Sequence, residues 1–485
     1  MTDLPTGWAW ATLENLLAVE KRPITDGPFG SKLATRHYTA SGARVIRLQN
    51  IGDGVFRDEE VFISDEYFEQ LRDHEVRPGD LVIASLGEKL PRACIVPDLG
   101  APAIVKADCI RARIHPGVDV RWVLYALMAP ETREWASSRI KGVGRPRLGM
   151  VGIRQIPLPV PPLVEQRRII AVLEDRLSGI EDGVEQVAKV IQRIDRFRDA
   201  LMTAVCTGKL AADSAPGLIA AKPPPANSVD GDLPSIPSHW SWARLGEIAE
   251  VVGGVTKDSK KQSDTTLPEV PYLRVANVQR GRLDLTNVAR IRVPSQKAKQ
   301  LELKFGDVLL NEGGDRDKLG RGWIWESQIP GCIHQNHVFR ARVLDDVLDP
   351  KLLAWHTNSF GKRWCEVNGK QSINLASISL SKIKLLPVPV PPADEQGQMV
   401  AEAEQYLTLL DSAEQAARAS ISRAHNLRRS LLAEAFAGRL VEQDSTDEPA
   451  SVLLERIDAE RAARALELRP RRGKGEKAPQ KETLL

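Results

Sequence analysis

The chain has 485 residues, an apolar content of 42% and a formal net charge of +3, so it can form two or three packed domains and has no strong overall charge. Its N-terminal residues show no basic stretch before an apolar run, and no run of about eighteen apolar residues occurs, so we expect neither secretion nor a membrane span. The five scattered cysteines, without a CxxC pair, predict reduced thiols and a cytoplasmic location.

Residues 1–162 predict a mixed, mainly β domain. Its β-rich runs, such as 45–51, 79–86 and 103–114, are bounded by Gly, Pro and Asp, and one helix is predicted from Arg121 to Ser138. Trp8 and Trp10, at the start of this domain, are two residues apart and would place both rings on one face of an extended segment. We expect these rings to pack in the core rather than to stack on bases.

Residues 163–210 predict one long helix, and residues 211–232 a proline-rich linker. The helix carries an apolar seam with alternating spacings of four and three: Leu173, Leu177, Ile180, Val184, Val187, Ile191, Ile194, Leu201 and Val205. A seam of this spacing predicts a coiled-coil helix that packs against a partner helix.

The second half of the chain repeats the first at a distance of about 230 residues. The matched phrases include LPVPPLVEQRRI, which begins at Leu158, and VPVPPADEQGQM, which begins at Val388. The repeat predicts a second mixed domain at 233–392 and a second long helix at 393–440, whose seam is richer in alanine. It therefore predicts a domain duplication rather than a solenoid.

The predicted fold class is α+β, with two mixed, mainly β domains separated by two long antiparallel coiled-coil helices and related by an internal pseudo-two-fold duplication. The alternative is a coiled coil that pairs with another chain. Residues 441–468 predict one more amphipathic helix for partner docking, and residues 469–485 a basic, disordered tail.

No catalytic motif emerges from the sequence: the chain has no phosphate-binding loop and no methyltransferase motif. Two sets of residues resemble nuclease triads, namely Asp80, Glu88 and Lys89, and Asp307, Asp317 and Lys318. In both sets the acid and the lysine are adjacent and would point to opposite faces of a strand, so Asp80 is better explained as part of a turn. Cys332, His334 and His337 could contribute to a metal site, but a strand is the simpler interpretation.

The order of several phrases resembles the DNA-specificity subunit of type I restriction-modification systems. These phrases are GPFGSKL from Gly27, VIRLQNI from Val45, PGDLVIASLG from Pro78, the proline phrases, and GKQSINLASISLSKIKLLPVPVPPADEQ from Gly369. The resemblance implies two target-recognition domains that each read one half of a bipartite site in double-stranded DNA. It also implies two long helices that set the gap and dock two modification subunits.

The resemblance implies no catalytic residue, metal or cofactor in this chain. S-adenosylmethionine, ATP and Mg²⁺ would be used by the modification subunits and by restriction subunits with motor and nuclease activity. Three departures concern the details: the first copy has GVGRPRLG at Gly142, the second has GGVTKDSKK at Gly253 instead of GPFGSKL, and the tail beyond Thr446 has no twin. A solitary diverged DNA-modifying enzyme and a coiled-coil protein-binding scaffold are the competing functions.

Candidate DNA contacts lie in glycine-flanked, cation-rich loops. The main candidates are Lys141, Arg145 and Arg147 with their twins Lys370, Gln371 and Asn374, and Arg316, Lys318 and Arg321, of which the last two match Lys89 and Arg92. A weaker set, of which strand alternation would bury some members, comprises Arg47, Gln49, Asn50, Arg274, Asn277 and Gln279. Arginine and glutamine can bind guanine and adenine edges in bidentate fashion.

Overall fold

The computed structural model describes residues 4–87, 89–142, 145–210, 230, 233–371 and 375–467. The chain forms two compact units, which we call unit 1 (residues 1–186 and 420–485) and unit 2 (residues 187–419). The predicted linker, except Asp230, and the predicted basic tail lie outside the described residues. Among the described residues, no helix is long and apolar enough to cross a membrane.

The part of the chain before residue 163 contains short strands and short helices. The strands are β1 (Ala9–Thr12), β2 (Ile24–Asp26), β3 (Tyr38–Thr39), β4 (Ala43–Ile46), β5 (Phe62–Ile63), β6 (Glu75–Val76), β7 (Leu81–Ala84), β8 (Arg92–Ile95), β9 (Ala103–Val105), β10 (Cys109–Ala112) and β11 (Pro157–Val160). The helices are α1 (Asp65–Gln70), α2 (Val120–Met128), α3 (Pro130–Ser137), α4 (Met150–Arg154) and then the long α5 (Leu163–Cys206).

The later part of the chain repeats this arrangement. Its strands are β12 (Ser241–Arg244), β13 (Ala249–Gly253), β14 (Glu269–Leu273), β15 (Val278–Gln279), β16 (Arg282–Leu283), β17 (Ala289–Arg292), β18 (Val308–Asn311), β19 (Gly313–Gly314), β20 (Gly322–Ile324), β21 (Ile333–His334), β22 (Val338–Val343), β23 (Lys370–Gln371), β24 (Ala376–Ser377) and β25 (Pro387–Val390). Its helices are α6 (Leu245–Ile248), α7 (Ser259–Ser263), α8 (Ser295–Leu301), α9 (Pro350–Asn358), α10 (Phe360–Asn368), α11 (Leu380–Ile383), the long α12 (Ala393–Phe436) and α13 (Ala450–Glu467).

The strand orders confirm the duplication. The antiparallel sheet β2-β10-β7-β8 of unit 1 recurs as β13-β22-β18-β20 in unit 2. The pair β1 and β11 recurs as β12 and β25, and the parallel pair β4 and β9 recurs as β14 and β21. The two halves differ in sequence but keep their buried apolar positions. Their strands therefore pair in the same order.

The helix predicted from Arg121 to Ser138 is two helices, and this prediction was wrong in that respect. Pro130 opens α3 at its first turn, and a proline at that position cannot donate a backbone hydrogen bond to continue α2. The twin helices α9 and α10 are also separate, with Ser359 between them.

The two long helices begin at the predicted residues and pack against each other within each unit. In unit 1 the first part of α5, with Leu173 and Leu177, shares a core with the last part of α12, with Leu431 and Ala435. In unit 2 the last part of α5 shares a core with the first part of α12. Pairing of opposite ends means that the helices are antiparallel, as the chain direction predicted.

The proline phrases place a glutamate in the first turn of each long helix. The indole Nε1 of Trp8 donates to Glu165 Oε1 at 3.0 Å, and that of Trp240 donates to Glu395 Oε2 at 3.0 Å. Trp8 lies in the turn before β1 and is buried, whereas Trp10 is exposed. The prediction that both rings share one face was therefore wrong, because only Trp10 of the pair lies in the strand.

Helix α13 packs on the core of unit 1. Its residues Ala450, Leu453 and Ile457 are buried there, and Arg461 donates to the carbonyl oxygens of Glu14, Asn15 and Leu17 at 2.8, 3.0 and 2.8 Å. This arginine satisfies carbonyl groups around the end of a short helix that would otherwise lack partners. The apolar face of α13 is therefore used within the chain.

Candidate nucleic-acid interface

Two predicted contact segments of unit 1 meet in a small ladder, which we call platform 1 (the described residues of 85–89 and 141–148). The backbone of Lys141 and that of Arg147 exchange two hydrogen bonds, of 3.1 and 2.9 Å. Gly87 N donates to Pro146 O at 3.1 Å, and Leu148 N to Ser85 O at 2.9 Å. The loops that precede α4 and follow β7 are therefore held side by side.

Unit 2 has an equivalent ladder, which we call platform 2 (the described residues of 312–318 and 369–378). Strand β19 pairs with β24, and β24 pairs with β23, so that Ala376 lies between Gly314 and Gln371. Gly314 and its twin Gly87 both have φ of 141°, a backbone conformation that strongly favours glycine. The structure thus brings together predicted residues from two separate loops in each unit.

Platform 1 exposes most of its predicted cations. Lys89, Lys141 and Arg145 are exposed, and the Arg147 side chain is 45% exposed while its Nη2 lies 2.5 Å from Asp108 Oδ1. A guanidinium held by one carboxylate keeps donors on its other edge for a second acceptor.

Platform 2 exposes Lys370, Gln371 and Arg316. Arg316 Nε donates to Glu366 O at 3.2 Å, and Lys318 forms an ion pair with Asp315. Platform 2 therefore offers an amide group beside cations, whereas the described part of platform 1 offers cations from Lys and Arg alone. The predicted contact Asn374 lies outside the described residues.

Arg92 and Arg321 lie deeper than the platform cations. Arg92 Nη2 donates to Leu48 O at 3.1 Å, and the Nε atoms of both arginines are buried. Burial lowers the pKa of Arg321, and the nearby carboxylate of Asp317 raises it again in part. These guanidinium groups are half-buried and are less accessible to a ligand than Lys141 or Lys370.

The weaker set of predicted contacts is mostly engaged within the protein. Asn50 and Asn277 are buried, and each Nδ2 donates to two backbone carbonyl oxygens at 2.8 to 3.0 Å. Arg47 lies 3.5 Å from Glu59, and Gln279 Nε2 donates to Ala276 O at 2.6 Å.

The side chain of Gln49 is exposed, and Arg274 is half-buried with its Nε inside the protein. Asn50 and Asn277 each end a 3-10 helix rather than continuing a strand. Both asparagines therefore hold local structure and cannot reach a base edge without losing those hydrogen bonds.

Each unit has a third segment, which we call the glycine loop (27–33 in unit 1 and 254–261 in unit 2). In unit 1 this loop lies beside platform 1. A Cβ atom on Gly27 would lie 2.2 Å from Val105 O, and one on Gly254 would lie 1.9 Å from His334 O. Both positions therefore require glycine, so that GGVTKDSKK takes the structural place of GPFGSKL. Comparing the sequences of the two halves missed this correspondence, because the two loops share a backbone contact and not their residues.

The glycine loop adds side chains that sequence reasoning did not select. In unit 1 the Arg147 guanidinium lies 5.7 Å from the centre of the Phe29 ring. In unit 2 the loop borders an open cavity of about 560 Å³ whose lining includes Lys261, Arg292 and Lys297. An aromatic residue followed by lysine in a glycine-rich loop is the signal that could have singled out Phe29.

Comparisons with known proteins agree with this architecture. The family described as type I restriction modification DNA specificity domain matches residues 237–422. The StySPI specificity subunit of Salmonella potsdam is 24% identical over 486 residues, covering 95% of this chain and 96% of that protein. The EcoKI specificity subunit of Escherichia coli K12 is 25% identical over 486 residues, covering 95% and 97%. This chain is therefore similar to type I specificity subunits over nearly its whole length.

Other relatives extend the comparison. The EcoBI specificity subunit of Escherichia coli is 27% identical over 316 residues, which cover 63% of this chain and 65% of that protein. A solved chain from a study of complex assembly and conformational transition of a type I R-M system has a TM-score of 0.63 with 18% identity, over 90% of this chain and 100% of the other. The solved chain shows that the fold is shared.

In this chain, the aspartates considered for nuclease chemistry, Asp80 and Asp307, serve as structural groups. Asp80 accepts from Arg113 Nε at 3.0 Å, and Asp307 accepts from Arg342 Nε at 2.7 Å. Each also accepts from a backbone N–H group three residues earlier, as expected for a turn. Burial raises the pKa of Asp80, and the Arg77 N–H group and Arg113 act in the opposite direction.

The possible metal ligands Cys332, His334 and His337 differ in burial and do not form a joint site. Cys332 and His334 are buried, and burial raises the pKa of the Cys332 thiol to about 12 and lowers that of His334 to about 4. His337 is exposed and lies 2.7 Å from Glu312 Oε2. Among the described residues, no group of three or more potential ligands could hold a metal ion.

Proposed function

We propose that this chain is a DNA-specificity subunit that reads an asymmetric, bipartite site in double-stranded DNA through its two platforms. Platform 1 would read one half-site and platform 2 the other. The observation that carries this proposal is that the same ladder of loops recurs in both units while its exposed side chains differ. Gly87 and Gly314 keep the same φ, but Arg147 stands where unit 2 has Ser377.

The platforms carry the two kinds of group that sequence reading needs. Lys141, Arg145 and Lys370 are exposed cations that can neutralise phosphates and fix the register of the protein on the duplex. Arg147 and Gln371 have the geometry for bidentate contacts with base edges, each worth about 1 to 3 kcal/mol of discrimination. The proposed assignment is therefore phosphate contact for the lysines and base contact for these two residues.

We assign the recognition domains to residues 1–162 and 233–392, and the spacers to 163–210 and 393–440. The spacers would set the gap between the half-sites and dock two modification subunits. Those subunits would use S-adenosylmethionine, and restriction subunits that use ATP and Mg²⁺ would complete the complex. Lengthening both helices by one turn should change the gap and leave the half-site sequences unchanged.

Two other functions predict different behaviour. A solitary DNA-modifying enzyme needs an accessible reacting group, but Asp80 and Asp307 are buried in ion pairs. A scaffold that binds only protein needs no base-reading groups, whereas exposed cations and an amide lie on matching platforms. Both observations favour the reading function.

The test uses the chain assembled with its modification subunits and a pool of randomised duplexes. Selection by gel shift should recover one bipartite motif with two different halves, and the same motif should carry the methylated bases of the host genome. Exchange of the segment 369–377 for that of another specificity subunit should alter only one half. Recovery of no bipartite motif would refute the proposal.

A further inference from the structure

The Phe29 ring is exposed although the loop that carries it is firmly anchored. Gly27 packs against the Val105 carbonyl oxygen, and Leu33 is buried in a small core with Val45. Tyr67 donates its hydroxyl hydrogen to the Lys32 carbonyl oxygen. Between these anchors the Phe29 side chain is 47% exposed, so the fold presents the ring rather than merely failing to bury it.

The surroundings of the ring are cationic. The Arg147 guanidinium lies 5.7 Å from the ring centre and is oriented by Asp108. Lys32 is exposed on the same loop, and Lys141 pairs with Arg147 through the backbone. Cations around an exposed apolar ring attract a polyanion and bring it against that ring.

We propose that Phe29 makes an apolar contact with the base stack of the half-site read by unit 1. This inference rests on the proposed function and adds to it a residue that reads DNA without hydrogen bonds. The ring can meet a thymine methyl group in the major groove or wedge against a base step, and both are apolar contacts with bases.

Unit 2 lacks such a ring at the matching position. Because Gly254 takes the place of Gly27, the residue in the place of Phe29 is Thr256, which lines the cation-rich cavity. The apolar contact is therefore a property of the first half-site alone. We expect the two half-sites to differ in their sensitivity to loss of base methyl groups or of base stacking.

The experiment measures binding of the assembled complex to its selected duplex by fluorescence anisotropy. Phe29→Ala should weaken specific binding about tenfold and leave binding to an unrelated duplex unchanged. Phe29→Leu should restore part of the affinity. Phe305→Ala, which removes a ring that is 74% exposed in unit 2, is the matched control and should have no effect.

Two further measurements distinguish a contact with a thymine methyl group from a wedge against a base step. If the ring meets a thymine methyl group, replacing one thymine by uracil in the first half-site should weaken the wild-type complex but not Phe29→Ala. If the ring is a wedge, 2-aminopurine placed in that half-site should brighten on binding to the wild-type complex alone.

Unchanged affinity of Phe29→Ala for a bipartite site that the wild type selects would overturn this inference and leave the proposed function intact. Weaker binding without either signal would also overturn it, because the ring would then act only through the loop. Loss of complex assembly in Phe29→Ala, seen by size-exclusion chromatography, would show a partner contact instead. Failure of the wild type to select any motif would instead refute the proposed function itself.

Discussion

Platforms 1 and 2 share a backbone and differ in exposed chemistry. Gly87 and Gly314 have the same φ, yet platform 1 has Arg147 beside an aromatic ring and platform 2 has an exposed amide, Gln371. The backbone is fixed by buried contacts that both copies keep, while exposed positions carry no such constraint. A duplicated fold can therefore read two different half-sites without a change of architecture.

Breaking the buried ion pairs of the two units should give the largest difference in stability between them. Asp307 accepts from Arg342 through two bonds of 2.7 Å, and Arg342 also donates to Glu302 O at 3.2 Å. Asp307→Ala should therefore destabilise unit 2 by about 3 to 5 kcal/mol, because a largely buried guanidinium loses its carboxylate. Hydrogen exchange of β18 and β22, followed by mass spectrometry, measures this loss.

The matched substitution in unit 1 should cost less. Arg113 also donates to Glu20 Oε1 at 2.8 Å, so it keeps a carboxylate partner in Asp80→Ala. We expect a loss of about 1 to 3 kcal/mol, measured by exchange of β7 and β10. Equal losses in the two units would contradict the idea that the second carboxylate protects unit 1.

Buried histidines should make unit 2 the more acid-sensitive unit. Burial lowers the pKa of His334 and of His356 from 6.5 to about 4. Because the folded state disfavours the protonated ring, this stability is fully present above pH 6.5 and is lost as the pH falls toward 4. The loss should be on the order of 3 kcal/mol for each histidine at pH 4.

Unit 1 has Val105 at the position of His334 and Ala126 at that of His356, so both positions are apolar there. The variant His334→Val, His356→Met should therefore remove most of the difference in acid sensitivity between the units, as measured by hydrogen exchange at pH 7 and pH 4.5. If acidification of this variant still increases hydrogen exchange more in unit 2 than in unit 1, other groups cause the acid sensitivity.

Substitutions on the platforms should distinguish residues that bind phosphates from residues that read bases. Lys141→Ala should weaken binding to all duplexes alike and reduce the salt slope by about one. Gln371→Ala should relax specificity at one position of the second half-site by about 1 to 3 kcal/mol. Binding of duplexes with single base changes, at two salt concentrations, measures both effects. A uniform loss for Gln371→Ala would assign it to a phosphate.

The sequence predicted the parts of the molecule that periodicity controls. The proline phrases placed the starts of α5 and α12, the heptad seam predicted that the two helices pack together, and the repeated phrases predicted the duplicated sheets. Asn50 stays a predicted contact, although the structure engages it in local hydrogen bonds at the end of a 3-10 helix. The single helix predicted from Arg121 to Ser138 was wrong because Pro130 opens a separate helix, α3. The role of Gly254 and the exposure of Phe29 depend on contacts between distant segments, which no local pattern of residues encodes.

The arginines at twin seam positions should give the smallest effect. Arg198 donates to Asp411 at 2.6 Å and to Glu414 at 3.1 Å in unit 2, whereas Arg428 lies 3.7 Å from Asp53 in unit 1. Because the Arg198 pairs are partly exposed, Arg198→Ala should cost about 0.5 to 1 kcal/mol, and salt should reduce that cost.

Arg428→Ala should cost less than Arg198→Ala, since its ion pair is longer and Asp53 keeps Arg133 as a partner. Thermal unfolding of both variants at low and high salt measures the order. An equal, salt-independent cost would mean that the aliphatic stems of these arginines, packed in the seam, stabilise the helices more than their charges do.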